Sequence, residues 1–231
     1  MKIKQACISN LGITTNESTI VPGYRAGDGL HFDINSELHE MHECIAKIIK
    51  LFFPKAKKIL DVGSGAGSLS YFLRKFNDDI TVVTLDGNPE IINSPFIKPE
   101  HHFVVRTDEE YRLVDEDNNL IQFDLICSFE HFEHIEPEKF SQFLSNIKTH
   151  SHEKTLFWTT AATYKFHTIE EAHVHCNVQS YESWLQTLSK GGFSVSDIFL
   201  FKQYCYLLHE TWLPPSGRAA VSYEFLFKNS S

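Results

Sequence analysis

The sequence predicts an α/β fold: a largely parallel sheet wound on both faces by helices, an antiparallel hairpin at one C-terminal edge, and an N-terminal helical cap. Three observations predict it. Short apolar, β-branched runs alternate with amphipathic helical runs from residue 37 onward, the order that crossover connections between parallel strands require. One of those strands, Ile59 to Val62, enters a turn with glycines at alternate positions, Gly63, Gly65 and Gly67, and a helical run begins at Ser68. The last two apolar segments, about 193–201 and 220–228, have no periodic helix between them and so pair as a hairpin.

Residues 1 to about 35 are polar and rich in turn formers (Asn16, Pro22-Gly23, Gly27-Asp28-Gly29) and read as a cap or lid. Ser36 can cap a helix from Glu37 to about Phe53, in which Leu38, Met41, Ile45, Ile48, Ile49 and Phe52 recur at helical spacing and Pro54 stops the run. Strands are then expected at 58–62, 80–85, 102–106, 123–128 and 154–160, and helices at 67–76, near 89–93, at 137–149 and from Ser180 to Ser189, the last ended by Gly191-Gly192. Residues 111–121 hold an Asp-Asn-rich centre between apolar flanks and read as a small hairpin. No repeat or linker divides the chain, so residues 1–231 form one domain, with 36–231 as its core.

Composition narrows the function. The formal net charge of −9 disfavours broad binding to nucleic-acid backbones, since that affinity comes from Lys and Arg, and favours small-molecule partners. The five cysteines (Cys7, Cys44, Cys127, Cys176, Cys205) are scattered without a C-x-x-C pair, which argues against a disulfide framework and for a reducing, cytoplasmic setting. No apolar run reaches the roughly 18 residues of a membrane span, and the N-terminus lacks the apolar block of a secretory signal. A monomer or homodimer is expected.

The glycine turn points to a nucleotide-sized cofactor, because glycine lets backbone N–H groups approach a ligand beside a helix N-terminus. The dinucleotide fingerprint G-x-G-x-x-G would need a glycine where Ser68 stands, and Asp61 would repel a pyrophosphate but suit an ammonium. Asp86, closing the strand Ile80 to Leu85, lies at the distance from the glycines where an acidic side chain receives ribose hydroxyls. The D-x-G-x-G-x-G spacing of residues 61–67 resembles the first motif of class I S-adenosylmethionine (SAM)-dependent methyltransferases, and the resemblance extends over roughly residues 37–228. It implies a Rossmann-like sheet of seven strands with the last reversed, and SAM lying across Gly63, Ser64, Gly65 and Gly67. Asp61 would face its amino-acid end and Asp86 its ribose, with Gly87 and Ser128 beside it. The resemblance also implies Asp108 at the adenine amino group.

The stretch Phe123 to Ile135 resembles the fourth-strand motif of that superfamily, and Glu130, Glu133 and His134 in it spell E-x-x-E-H with His131 interleaved. If the segment is helical, positions 130, 133 and 134 share a face and can bind a divalent cation. The same spelling occurs in ubiquinone-pathway O-methyltransferases and in small-RNA 2'-O-methyltransferases, where a downstream histidine completes the site; His173 or His175 is the candidate here. Many metal-free members carry a similar ending, in which the histidine packs near the cofactor or substrate. Glu130, His131 and His134 are therefore candidate catalytic residues, and Glu130, Glu133, His134, His173 and His175 candidate metal ligands. SAM-dependent O-methylation of a small molecule is the expected activity. RNA 2'-O-methylation and a non-catalytic nucleotide-binding module remain as alternatives.

Overall fold

The structure is a computed structural model that describes residues 3–6, 37–162, 175–195 and 222–229. Helix α1 (Glu37–Phe52) leads into strand β2 (Lys58–Val62), helix α2 (Ser68–Phe76), β3 (Thr81–Asp86) and β4 (His102–Val104). Then come β5 (Arg112–Asp115), β6 (Phe123–Ser128), α3 (Phe140–Thr149), β7 (Ser151–Ala162), α4 (Tyr181–Lys190), β8 (Phe193–Val195) and β9 (Ser222–Asn229). Seven strands form one sheet in the order β4-β3-β2-β6-β7-β9-β8. The pairs from β4 through β7 are parallel, and β9 runs antiparallel to both β7 and β8. The expected C-terminal antiparallel pair is present, with β9 inserted between β7 and the edge strand β8.

Strand alternation divides the core in two. One sheet face (Leu60, Val62, Val83, Leu85, Ile126, Phe157) packs on α3 and α4 through Phe143, Leu144, Ile147, Trp184 and Leu188. The other (Ile59, Val82, Leu125, Cys127, Trp158) packs on α1 and α2 through Ile45, Ile48, Ile49, Leu69, Phe72 and Leu73. Both faces of the sheet are therefore covered, which is why its parallel strands read as nearly continuous apolar runs. Helix α4 begins where Ser180 accepts a hydrogen bond from the Ser183 N–H and ends at Lys190, with Gly191 as its C-cap and Gly192, whose φ of 83° suits glycine, just beyond. Among the described residues no helix is long and apolar enough to cross a membrane.

The hairpin expected at 111–121 is there. Val114 bridges Leu120, and the Asp115 carboxylate receives the N–H groups of Asp117 and Asn119 at 3.0 and 2.8 Å. Not anticipated is its partner: β1 (Ile3–Ala6) pairs antiparallel with β5 in a separate two-stranded sheet. The cap expected over residues 1–35 falls mostly outside the described residues, as does Ser36.

Chain order runs outward from the centre in both directions, β2 to β4 one way and β6 to β7 the other, so the crevice beside the carboxyl ends of β2 and β6 is the switch point where such sheets bind ligands. At the opposite end, Asp124 ties these two strands together. Its Oδ2 accepts the N–H groups of Lys57 and Lys58 at 2.7 and 2.8 Å, and its Oδ1 lies 3.3 Å from His152 Nε2. Asp124→Ala should lower unfolding free energy by about 1 kcal/mol in denaturant titrations and leave SAM affinity unchanged. Weakened SAM binding in that variant would contradict a purely structural clamp.

Candidate cofactor and acceptor site

The glycine turn enters left-handed backbone at each of its glycines, with φ of 72° at Gly63, 49° at Gly65 and 81° at Gly67. A Cβ on Gly63 would overlap the His131 ring, and one on Gly67 would overlap Ile97, so those two positions have no room for a side chain. The N–H groups of Gly63 and Ser64 both donate to the Leu85 carbonyl at 2.9 and 3.0 Å, which fastens the turn to the end of β3. Outside it, Ser94 Oγ donates to the Ala66 carbonyl at 2.6 Å and Arg74 donates to the Phe96 carbonyl at 2.6 Å.

Two carboxylates lie buried under this turn. Asp86 accepts the Gly65 N–H at 3.0 Å and the Asn88 N–H at 2.9 Å. Burial nevertheless raises its pKa to about 6, against the pull of the Asn88, Gly65 and Gly87 N–H groups. Asp61 is raised to about 7, first by burial and then by the charge of Asp86, with Arg74 opposing. Among the described residues, Asp61 Oδ2 and Ser64 Oγ find no hydrogen-bond partner. This set of acceptors would fit SAM: its ammonium and ribose hydroxyls would supply donors, and its sulfonium would add positive charge beside two carboxylates. A pyrophosphate would bring negative charge to the same place.

At the carboxyl end of β6 the structure departs from a helical E-x-x-E-H face. Glu130 has φ of 49° and is exposed, its N–H donating to Thr160 Oγ1 at 2.9 Å. Only Phe132–His134 then forms a short 3-10 turn. The left-handed residue interrupts any helix, so Glu130 stands outside the group that the turn assembles. That group is Glu133, His134 and His175, whose candidate ligand atoms all lie within 4.8 Å of one another. Glu133 is fully buried (0% exposed), and His175 Nε2 lies 4.0 Å from its Oε1. The His134 and His175 rings meet edge to face at 5.0 Å, and the Asn177 N–H donates to the Glu133 carbonyl at 3.0 Å. His173 falls outside the described residues.

The remaining candidates separate. His131 is half-buried against Gly63, its Nε2 is 2.8 Å from Thr107 Oγ1, and desolvation, then the nearby His134, pushes its pKa down to about 3. Asp108 receives Arg106 at both oxygens (3.1 and 2.9 Å) with Lys139 at 3.4 Å. Burial alone would raise its pKa, but Arg106 and then Lys139 hold it below the usual carboxylate value. A bond to an adenine amino group would have to share those oxygens. Ser128 is fully buried in line with Ile126, on the sheet face opposite Asp61. Sequence reasoning missed Thr107, Arg74 and Asn177, all three of which act through contacts between segments distant in the chain. His42 on α1, whose spacing with His39 and Glu43 makes it a candidate lid contact in the sequence, meets Ser68 Oγ through its Nδ1 at the start of α2.

The sheet order, the glycine turn and the carboxylate closing β3 are together those of the class I SAM-dependent methyltransferases. The chain belongs to the family described as "Methyltransferase domain", whose model matches residues 37–198. Among solved structures it is similar to the mitomycin 7-O-methyltransferase MmcR, at 12% identity and a TM-score of 0.58 over 85% of this chain and 55% of that one. A TehB-like SAM-dependent methyltransferase from Corynebacterium glutamicum matches at 19% identity and 0.54, over 82% of this chain and 88% of that one. The plantazolicin methyltransferase BpumL, with a triazolic desmethylPZN analog and SAH, matches at 14% and 0.58 over 84% and 85%. At these identities the likeness is one of fold. The chain spans little more than half the length of the mitomycin enzyme. No curated protein matches at the sequence level.

The two raised carboxyls generate a pH prediction. Both folded-state values, about 6 and about 7, exceed the unfolded value of 3.8. In the free protein they therefore favour folding most below that value, and the contribution is lost as pH rises through 6 to 7. A cationic cofactor prefers the ionised pair, so the rise in melting temperature on adding SAM should be larger at about pH 8 than at about pH 5. Asp61→Asn should flatten that dependence and weaken binding by about 1.5–3 kcal/mol. A parent protein and variant with the same SAM-induced shift at both pH values would remove Asp61 from the site.

Proposed function

We propose that this SAM-dependent methyltransferase acts on a hydroxyl oxygen of a small molecule, held at the Glu133, His134 and His175 group with the help of a divalent cation. The observation that carries this reading is the gathering of one buried carboxylate and two imidazoles at the carboxyl end of β6, across the switch-point crevice from the glycine turn. One carboxylate and two imidazoles suit a borderline divalent ion such as zinc, iron or nickel better than magnesium. The 4.0 Å from His175 Nε2 to Glu133 Oε1 is within a small adjustment of the separation between ligands bonded at about 2.0–2.2 Å. When bound, such an ion supplies Lewis acidity that favours the alkoxide form of a hydroxyl.

The chain's own groups do the rest. Asp61 and Asp86 meet the positive and hydroxyl-bearing parts of the cofactor. Phe132, packed on Phe140, Phe143 and Trp184 at ring distances of 5.0–5.5 Å, makes a dry and rigid support for Glu133 and His134. Methyl transfer from a sulfonium is an in-line displacement, so holding the acceptor oxygen in line accounts for much of the rate. His134, half-buried at the rim, is placed to help hold that hydroxyl at the ion, and the proton the hydroxyl loses passes to solvent. The net charge of −9 supports a small molecule over a polyanion, and the fold neighbour named as a mitomycin 7-O-methyltransferase supports oxygen as the acceptor atom.

Chelation should reduce methyl transfer from labelled SAM, across a panel of phenols and alcohols, by about 10–100-fold, with recovery on restoring one of these ions. Glu133→Gln should lose the recovery while still binding SAM. Turnover indifferent to chelator would eliminate the cation and leave His134 as the group that positions the acceptor.

A further inference from the structure

We propose that Asn177 is a positioning residue that, braced from helix α4 by Gln179, sets the place of His175 beside Glu133 and so decides whether the group closes on one cation. The inference rests on the reading of Glu133, His134 and His175 as a cation site. Its ligands come from two segments. Glu133 and His134 share one short turn, whereas His175 belongs to a distant stretch, 175–180, that is neither helix nor strand. No regular backbone ladder fixes that stretch, so individual hydrogen bonds have to. The Asn177 N–H donates to the Glu133 carbonyl at 3.0 Å, which joins the two segments directly. On its other side, Asn177 Oδ1 accepts Gln179 Nε2 at 2.8 Å. Gln179 Oε1 in turn accepts Ser183 Oγ at 2.6 Å and Thr187 Oγ1 at 3.4 Å, two hydroxyls one helical turn apart on α4.

A closed circuit results. Trp184 of α4 is fully buried, and its ring lies 5.3 Å from that of Phe132, the residue before Glu133. The helix thus holds the Glu133 turn through an aromatic contact and the His175 segment through Gln179 and Asn177. The Asn177 N–H joins the two ends. Asn177 is 3% exposed, and its Nδ2 finds no partner among the described residues, so the bond to Gln179 is what its side chain contributes. A backbone N–H alone is a single tie about which the segment can pivot; the side-chain bond from the same residue fixes its orientation. His175 stands two residues before Asn177, its ring against His134 at 5.0 Å and its Nε2 4.0 Å from Glu133 Oε1. Bonds from protein ligands to a divalent ion hold to within about 0.2 Å, so a small rotation of the segment is enough to take the imidazole out of reach.

Titration of the full chain with cobalt(II), which takes the nitrogen and oxygen ligands of zinc and reports them in its visible spectrum, tests this. Asn177→Ala and Gln179→Met should each bind cobalt about tenfold more weakly than the parent, with weaker visible bands and unchanged SAM affinity. Gln179 is only half-buried, so its variant reads the brace without opening a buried position. In a His175→Ala background, where the imidazole that Asn177 places is gone, Asn177→Ala should cost little further. Parent-like cobalt affinity in both single variants, a full further tenfold loss without His175, or an equal loss of SAM affinity would overturn the inference and leave the cation reading intact. A parent protein that binds no cobalt, or whose cobalt spectrum is unaltered by His175→Ala, would overturn the cation reading and this inference with it.

Discussion

Two carboxylates buried side by side under a turn of three glycines form the constraint on which the rest of this structure depends. Asp86 ends β3 and Asp61 stands one residue before the end of the neighbouring parallel strand β2, and the register that pairs Asp61 with Thr84 puts both carboxylates on the same sheet face. Burial disfavours charge on either one, and the charge of Asp86 lifts Asp61 further. Much of the surrounding chemistry moderates this: the Gly65 and Asn88 N–H groups on Asp86, and the Arg74 guanidinium opposite Asp61. What remains of the penalty falls on the ionised forms of both carboxyls.

The turn keeps its shape because it is held on two sides. Ile97 presses on Gly67, and Arg74 holds the chain around Phe96 in place behind it. His131 presses on Gly63 from the neighbouring strand end, held by Thr107. The switch in strand order between β2 and β6 is what lets this second support exist, since it places the segment after β6 directly beside the segment after β2. The glycine turn and the Glu133 group are thereby neighbours, linked through the single residue His131, which lies on Gly63 and beside His134.

Most of the fold was legible in the sequence because it rests on local periodicity: the β-branched run ending at Asp86, the apolar stripe of α1, the Ser180 cap and the Gly191-Gly192 stop of α4. The glycine turn was legible for a related reason, since left-handed backbone demands glycine at named positions. What escaped depends on contacts that periodicity does not encode. The E-x-x-E-H spelling suggested a helical face, but one left-handed residue at Glu130 and a turn of only three residues removed that carboxylate from the group. Asp108 stood in a plausible place for a ligand contact, yet Arg106 two residues earlier already occupies both of its oxygens. The pairing of β1 with β5 joins segments about a hundred positions apart, and nothing local announces it.

The position of β9 has a consequence for how the chain is made. It is the last strand of the sheet to be synthesised, yet it lies inside the sheet, with β7 on one side and β8 on the other. Until it arrives, β7 offers an open row of backbone donors and acceptors along residues 156–162, beside apolar Phe157 and Trp158. An open edge of that kind is a template for pairing with another chain. The closing contacts also span some seventy residues of sequence, which makes them late events in folding. The emerging polypeptide thus passes through a period in which its half-built sheet is adhesive, and quality-control machinery has its best opportunity to act during that interval.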